Sequence, residues 1–212
     1  MRRILAVATL CMSAMACAYA HAQEADTSLS VAAQELIARG NAAGVFEALP
    51  SDGPVVVRHG RSGLVCRLAP ANTNRLVIFP QAARGEDVAC DSSDGSENIT
   101  LYATRYSFDP SMEELIQGAV AAIRQRFPDA RELPAPTGAG ARAQQRTAQF
   151  LVTREDDGAL MYTRVSVAQI GQWVVKLRYT VVAPDAAAAE RGEAAANALW
   201  NATLGEFSQQ RL

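Results

Sequence analysis

The strongest constraint on the fold is a regular alternation of apolar and polar residues in the last third of the chain. Ala148, Phe150 and Val152 alternate with polar neighbours, and similar segments follow the turns at 156–158 and 171–172. A period of two residues is typical of β-strands, and short turns make successive strands antiparallel. The sequence therefore predicts a three-stranded antiparallel meander. On the second strand, the side chains predicted to share one face are those of Met161, Thr163, Val165 and Val167. On the third strand, the predicted apolar face consists of Trp173, Val175, Leu177, Tyr179 and Val181. Lys176, Arg178 and Thr180 lie on the opposite face of the third strand, which is predicted to be solvated.

Three other segments carry the apolar period of an amphipathic helix. The first covers residues 28–39. The second follows Asp109-Pro110, where Ser111 and Glu114 form a candidate capping box, and it ends before Pro128. The third is rich in alanine and extends from 184 to about 204, with Gly192 weakening it slightly. The predicted buried stripe of the second helix consists of Ile116, Val120, Ile123 and Phe127.

The segment from Val45 to Phe108 contains short runs rich in β-branched residues, separated by clusters of Gly, Pro, Asn, Asp and Ser. Such runs predict strands joined by turns. The order of elements is then helix, several strands, helix, three strands, helix. Because the strands are grouped rather than alternating with helices, we predict an α+β fold, in which a few helices flank an antiparallel sheet and a long helix follows the C-terminal meander.

The first 22 residues have the three parts of a secretory signal peptide: Arg2 and Arg3, an apolar run from Ile4 to Ala18, and small residues at the end. We expect cleavage near Ala20 or Ala22 and a periplasmic or secreted protein. The apolar run is shorter than the roughly 20 residues that span a bilayer, and no second run of its length follows. The sequence therefore predicts no membrane span.

The remaining residues, 23–212, fall in the size range of one domain, in which 128–143 is rich in Pro and Gly and predicts an exposed loop. Without the two arginines of the signal segment, 18 basic residues face 22 acidic ones, a formal charge of −4. A chain with this charge has no overall basic character for nucleic acid. We expect an unknown protein or small-molecule ligand in the cell envelope as its partner.

Cleavage of the signal segment would leave two cysteines, Cys66 and Cys90. In an oxidising compartment, an even number of cysteines, here two, predicts a structural disulfide. A redox or zinc role is disfavoured because the chain has no Cys-x-x-Cys motif and only two histidines, His21 and His59.

His59 and Ser62 together suggest a nucleophile and its base. However, residues this close on one turn seldom meet in that way, and the chain has no Gly-x-Ser-x-Gly motif. We therefore expect a structural role for His59 and assign no catalytic residue.

The acidic segment 91–97 resembles a calcium loop superficially, but it lacks the ligand spacing of such a loop and is expected to be a solvated turn. Glu113 and Glu114 are expected to complement the dipole of the second helix. Gly138-Ala139-Gly140 lacks the context of a phosphate-binding loop. We predict neither a metal site nor a cofactor.

Residues 106–204 carry a further pattern. A strand leads into a helix that begins in the segment Ser-Phe-Asp-Pro-Ser-Met-Glu-Glu-Leu. A loop and a hairpin come next. They are followed by a closing helix and, before it, by the strand Gly-Gln-Trp-Val-Val-Lys-Leu-Arg-Tyr-Thr. This half of the chain resembles small exported bacterial proteins of unknown function, whose layout is similar to the PsbP-like α/β sandwich. The resemblance implies a non-enzymatic accessory or envelope protein and assigns a role to no residue.

Together these features predict an exported, non-catalytic binding or envelope-accessory module. The alternative is a small periplasmic hydrolase whose site is assembled from residues distant in sequence. A deep pocket with perturbed carboxylates would favour the hydrolase, whereas a shallow surface with an exposed apolar patch would favour the binding module.

Overall fold

The structure is a computed structural model, and it describes residues 29–134 and 144–209. The predicted signal peptide, residues 1–22, lies outside the described residues, as do 135–143 of the predicted loop. Three helices are present: α1 over residues 29–39, α2 Met112–Arg126 and α3 Ala186–Gln209. The strands are β1 Phe46–Leu49, β2 Val55–His59, β3 Val65–Leu68, β4 Thr73–Ile78, β5 Asp87–Ser93, β6 Glu97–Thr104, β7 Arg131–Glu132, β8 Gln145–Thr153, β9 Leu160–Ile170 and β10 Trp173–Val182.

The strands form two sheets. The smaller sheet has the order β1-β2-β3, and the larger has the order β4-β5-β6-β10-β9-β8-β7, with antiparallel pairing between all neighbours. The predicted meander is β8-β9-β10, followed by the long helix α3. The predicted α+β fold is therefore confirmed. None of the helices in the described ranges combines the length and the apolar character needed to cross a membrane.

Helix α2 begins and ends at the residues that the sequence predicts. The Ser111 side chain accepts a hydrogen bond from the Glu114 N–H, and the Glu114 carboxylate accepts one from the Ser111 N–H, so the capping box is complete. Phe127 caps the other end, before Pro128. The predicted stripe Ile116, Val120, Ile123 and Phe127 is buried.

Apolar residues cover both faces of the larger sheet. On one face, the stripe of α2 packs on Phe150 of β8 and on Val165 and other residues of β9. On the other face, Trp173, Leu177 and Tyr179 of β10 belong to a core that also includes residues of α1, α3 and the smaller sheet. The sheet is thus the middle layer of the fold.

Cys66 in β3 and Cys90 in β5 join the two sheets. Their Sγ atoms are 2.07 Å apart, the geometry of a disulfide bond, and both residues are buried. The predicted pairing of these cysteines is compatible with the structure.

Three local predictions need correction. Arg131 and Glu132 are not loop residues, because they pair with Leu151 and Phe150 as edge strand β7. The last of the strands predicted between Val45 and Phe108 ends at Thr104. The face of β10 with Lys176, Arg178 and Thr180 is half-buried rather than solvated, because β6 pairs with β10 and carries Tyr102 next to Lys176.

Candidate functional site

The larger sheet has an open half on the face that carries α2. Helix α2 packs on β8 and β9, while the same face of β4, β5, β6 and β10 lines a groove of about 700 Å³ beside the C-terminal end of the helix. A concave volume of this size is typical of small-molecule sites. The groove is the candidate functional site.

The strand register aligns charged side chains along the groove. Arg75 of β4 lies opposite Asp91 of β5, Asp91 opposite Thr100 of β6, and Thr100 opposite Arg178 of β10. Directly paired residues project from the same face of a sheet. Four residues from four different strands therefore form one polar row across the floor.

Four arginines line the groove, and they differ in how their charge is neutralised. Arg75 forms an ion pair with Asp91 at 3.2 Å, and Arg154 pairs with Asp156 at 3.3 Å and with Asp157. Arg126 and Arg178 form no ion pair with any residue in 29–134 or 144–209. Burial lowers the pKa of the Arg178 guanidinium, and the positive charge of Arg126 lowers this pKa further. The two uncompensated guanidiniums are therefore close enough to repel each other.

The carboxylates that line the groove already have other partners. Asp91 accepts hydrogen bonds from Thr100 Oγ1 at 2.7 Å and from Arg75. Glu97 accepts a hydrogen bond from the Tyr179 hydroxyl. Because these acidic groups are engaged elsewhere, Arg126 and Arg178 remain available for an external anion.

Lys176 lies on the same face of β10 as Arg178, next to the groove floor. Lys176 Nζ lies 4.1 Å from the centroid of the Tyr102 ring. Burial lowers the pKa of Lys176, and the nearby Asp87 carboxylate opposes this shift. Burial also raises the pKa of Asp87, which accepts a hydrogen bond from Thr104 Oγ1 at 2.7 Å. Unlike Arg178, two residues further along β10, Lys176 therefore has a nearby carboxylate whose charge opposes the effect of burial on its pKa.

Apolar side chains form part of the groove wall. Phe79 and Tyr102 have rings that are nearly parallel, with centroids 6.3 Å apart and planes at 19°. Phe127 and Met161 line the side next to α2. The groove thus offers cationic groups and apolar contact area to the same ligand.

The structure brings His59 and Ser62 together, contrary to the expectation that they would not meet. His59 Nδ1 is 2.7 Å from Ser62 Oγ, and the Ser62 N–H also points at Nδ1, at 3.3 Å. This arrangement favours the tautomer in which Nδ1 accepts and Nε2 carries the proton. Ser62 Oγ in turn accepts a hydrogen bond from the Leu64 N–H at 3.1 Å, as expected of a residue that stabilises a turn.

The surroundings of His59 make it a weak base. The ring is completely buried between Phe46 and Trp173, with ring centroids at 5.3 Å from both. Burial lowers the pKa of His59 to about 4, and Arg61 contributes in the same direction. A base with this pKa removes a serine proton poorly at neutral pH. These observations favour a structural role for the pair.

The acidic residues singled out in the sequence occupy a strand, a turn and a helix cap. Asp91 belongs to β5 and the groove, whereas Asp94 Oδ1 accepts hydrogen bonds from the Ser96 and Glu97 N–H groups in the turn. Glu114 is part of the α2 cap. Over the described residues, no group of three or more His, Cys, Asp or Glu side chains has a metal-binding arrangement.

A second surface feature is an exposed aromatic pair after β6. Tyr106 and Phe108 contact each other edge to face, with centroids 5.4 Å apart, and Phe108 is 66% exposed. They lie beside a depression of about 570 Å³ that also includes Gln172 of the β9–β10 turn. This patch is of the kind expected for a binding module.

No signal in the sequence marks Arg126 or Arg178 as a site residue, because each has the pattern of an ordinary surface arginine on a helix or a strand. Only the pairing of β10 with β6 places Arg178 in the groove, and this pairing has no local signal in the sequence. Comparison with protein-family models finds no match, and comparison with curated proteins finds no significantly similar sequence. The resemblance to the PsbP-like layout stays a prediction.

Proposed function

We propose that this chain is an exported, non-catalytic binding module that holds an anionic ligand in the groove between α2 and the open half of the larger sheet. The observation that carries the proposal is the pair Arg126 and Arg178, two neighbouring guanidiniums without a carboxylate partner in the described part of the chain. Arginine is well suited to bind oxyanions because its planar fork donates two parallel hydrogen bonds.

Export is supported by the tripartite segment 1–22 and by the Cys66–Cys90 pair. Its test is the intact mass of the protein recovered from the periplasm. We expect an N-terminus at His21 or Gln23. Full-length protein in the cytoplasm, or a lipid on Cys17, would contradict this part of the proposal.

The non-catalytic character is supported by the weak basicity of His59 and by the engagement of Asp91 and Glu97 with other residues. Purified protein should release no product from a panel of ester, peptide and phosphate substrates. Turnover that disappears in a folded His59→Ala variant would instead support the hydrolase.

Anion binding is tested by titrating ¹⁵N-labelled protein with three classes of small aromatic probe. Benzoate and phenyl sulfate are anionic, benzyl alcohol is neutral, and benzamidine is cationic. We expect the anions to shift the amide signals of β5, β6 and β10 around the groove, with far smaller shifts from the other two probes. Equal shifts from all probes, or anion-induced shifts confined to other surfaces, would refute the proposed site.

A further inference from the structure

The number of uncompensated charges in the groove indicates which anion fits best. Arg126 and Arg178 each carry one positive charge that no carboxylate of the described chain neutralises, and the two repel each other. A monoanion leaves one of these charges uncompensated, whereas a dianion neutralises both. A phosphate monoester has a second pKa near 6 and is a dianion above that value.

The shape of the phosphate group also suits this pair. Its three terminal oxygens accept hydrogen bonds in several directions, so two guanidiniums on different elements can each donate to it. Arg126 is in the last turn of α2 and Arg178 in the middle of β10, so they approach the groove from its rim and its floor.

The groove is larger than phosphate alone would fill, and part of its wall is apolar. Its volume of about 700 Å³ exceeds that of one anion many times, and Phe79, Phe127 and Met161 contribute to its walls. Apolar walls next to cationic groups favour a ligand that has an organic part. We infer that the groove binds phosphate monoesters, with the phosphate between Arg126 and Arg178 and a ring-sized organic group along the apolar wall. This inference rests on the proposed function and narrows its ligand class.

The probes for a test are phenyl phosphate, phenyl sulfate and inorganic phosphate. Phenyl phosphate and phenyl sulfate have nearly the same shape, but at pH 8 the first is a dianion and the second a monoanion. Isothermal titration calorimetry of the full mature protein at pH 8 should give at least about tenfold tighter binding for phenyl phosphate than for phenyl sulfate. Inorganic phosphate should bind more weakly than phenyl phosphate because it lacks the ring.

Lowering the pH provides a second readout. At pH 5 roughly nine-tenths of phenyl phosphate is a monoanion, so its affinity should fall by up to about tenfold. The groove-lining residues in the described ranges include no histidine, and their carboxylates are Asp91 and Glu97, with Asp87 and Lys176 close by. Phenyl sulfate does not titrate in this range, so it measures any contribution from these protein groups.

Arg178→Gln and Arg126→Gln should each weaken phenyl phosphate binding by at least about tenfold at pH 8. Arg67→Gln is the matched control, because Arg67 pairs with Glu206 at 2.7 Å and does not line the groove. Arg126 is exposed, so its variant keeps the test valid even if Arg178→Gln folds poorly.

The outcomes separate this inference from the proposed function. If phenyl sulfate binds at the groove as tightly as phenyl phosphate, the preference for a dianion is wrong while anion binding stands. If inorganic phosphate binds as tightly as phenyl phosphate, the organic part of the inference is wrong. If Arg126→Gln binds phenyl phosphate as tightly as Arg67→Gln does, the assignment of the phosphate to this arginine pair is wrong. If no anionic probe perturbs the groove, both proposals fail.

Discussion

Gly192 of α3 lies against Tyr162 of β9 at a point where helix and sheet leave no room for a β-carbon. A Cβ at position 192 would lie 3.0 Å from Tyr162 Cδ1 and 2.9 Å from Val181 Cγ1. A glycine inside a helix normally weakens it, but this one permits the close approach of α3 to the centre of the sheet. The position of α3 against the sheet thus depends on the absence of a side chain at Gly192.

Gly192→Ala should lower the free energy of unfolding by about 1–3 kcal/mol, because the new methyl group overpacks this contact. Gly118→Ala is the matched control in α2, where a Cβ would meet nothing within 4 Å. That change should raise the free energy by about 0.5–1 kcal/mol through helix propensity. Urea unfolding measures both, and stabilisation by both changes would mean that α3 does not sit this close to the sheet.

Asn197→Ala should destabilise the protein by about 1–3 kcal/mol, because it leaves a buried guanidinium short of a partner. Arg164 is 1% exposed, and it donates hydrogen bonds to Asn197 Oδ1 at 2.5 Å and to Ser166 Oγ at 2.9 Å. Asn201→Ala is the control, since Asn201 is exposed one turn further along α3. Its effect should stay within about 0.5 kcal/mol. Equal losses in thermal or urea unfolding would contradict the buried hydrogen bond.

His59 should make the free energy of unfolding fall as the pH is lowered below neutrality. The pKa of His59 is about 4 in the folded protein and 6.5 in an unfolded chain, so only the unfolded state takes up this proton between these values. The stabilisation is complete above pH 6.5 and is lost as the pH falls towards 4. Between pH 8 and pH 5 the loss should be about 2 kcal/mol.

The comparison with a His59→Gln variant isolates this contribution, because the variant retains every carboxylate. Its free energy of unfolding should fall less than that of the wild type between pH 8 and pH 5, whatever its absolute stability. Parallel curves for the two proteins would show that His59 titrates normally in the folded state.

Loss of the Cys66–Cys90 bond should lower the free energy of unfolding by about 3 kcal/mol, because the bond closes a loop between residues 24 apart and thereby restricts the unfolded chain. The measurement compares urea unfolding of the oxidised wild type with that of Cys66→Ser. Alkylation of the urea-unfolded protein before reduction is the control, and it should label neither cysteine, because unfolding exposes any free thiol. Labelling of both would overturn the pairing.

Several elements could be predicted from local sequence because their signals lie within a few residues. Ser111 and Glu114 specify the start of α2, and Phe127 with Pro128 specifies its end. The β8–β10 meander follows from the period of two and the short turn at Gly171-Gln172. These features depend on backbone hydrogen bonding and side-chain volume within one segment.

The surroundings of several polar side chains depend on pairing between segments that are distant in the sequence, so local patterns do not predict them. The polar residues of β9, Arg164 and Ser166, are buried because α3 covers their face of the sheet, which the pattern of β9 does not predict. Lys176 was expected on a solvated face, but β6 places Tyr102 beside it. The contact between His59 and Ser62, by contrast, is local to one turn, and the residue types of that turn do not predict it.

The order of elements, the cap of α2, the meander and the pairing of Cys66 with Cys90 follow from patterns in the amino-acid sequence. The place where charges meet depends instead on the tertiary fold. Arg126 and Arg178 are 52 positions apart in the chain, and each has an ordinary local pattern. They line the same groove because β10 pairs with β6 while α2 ends over the neighbouring strands. Charge–charge interactions depend on distances in space, and here long-range strand pairing sets these distances.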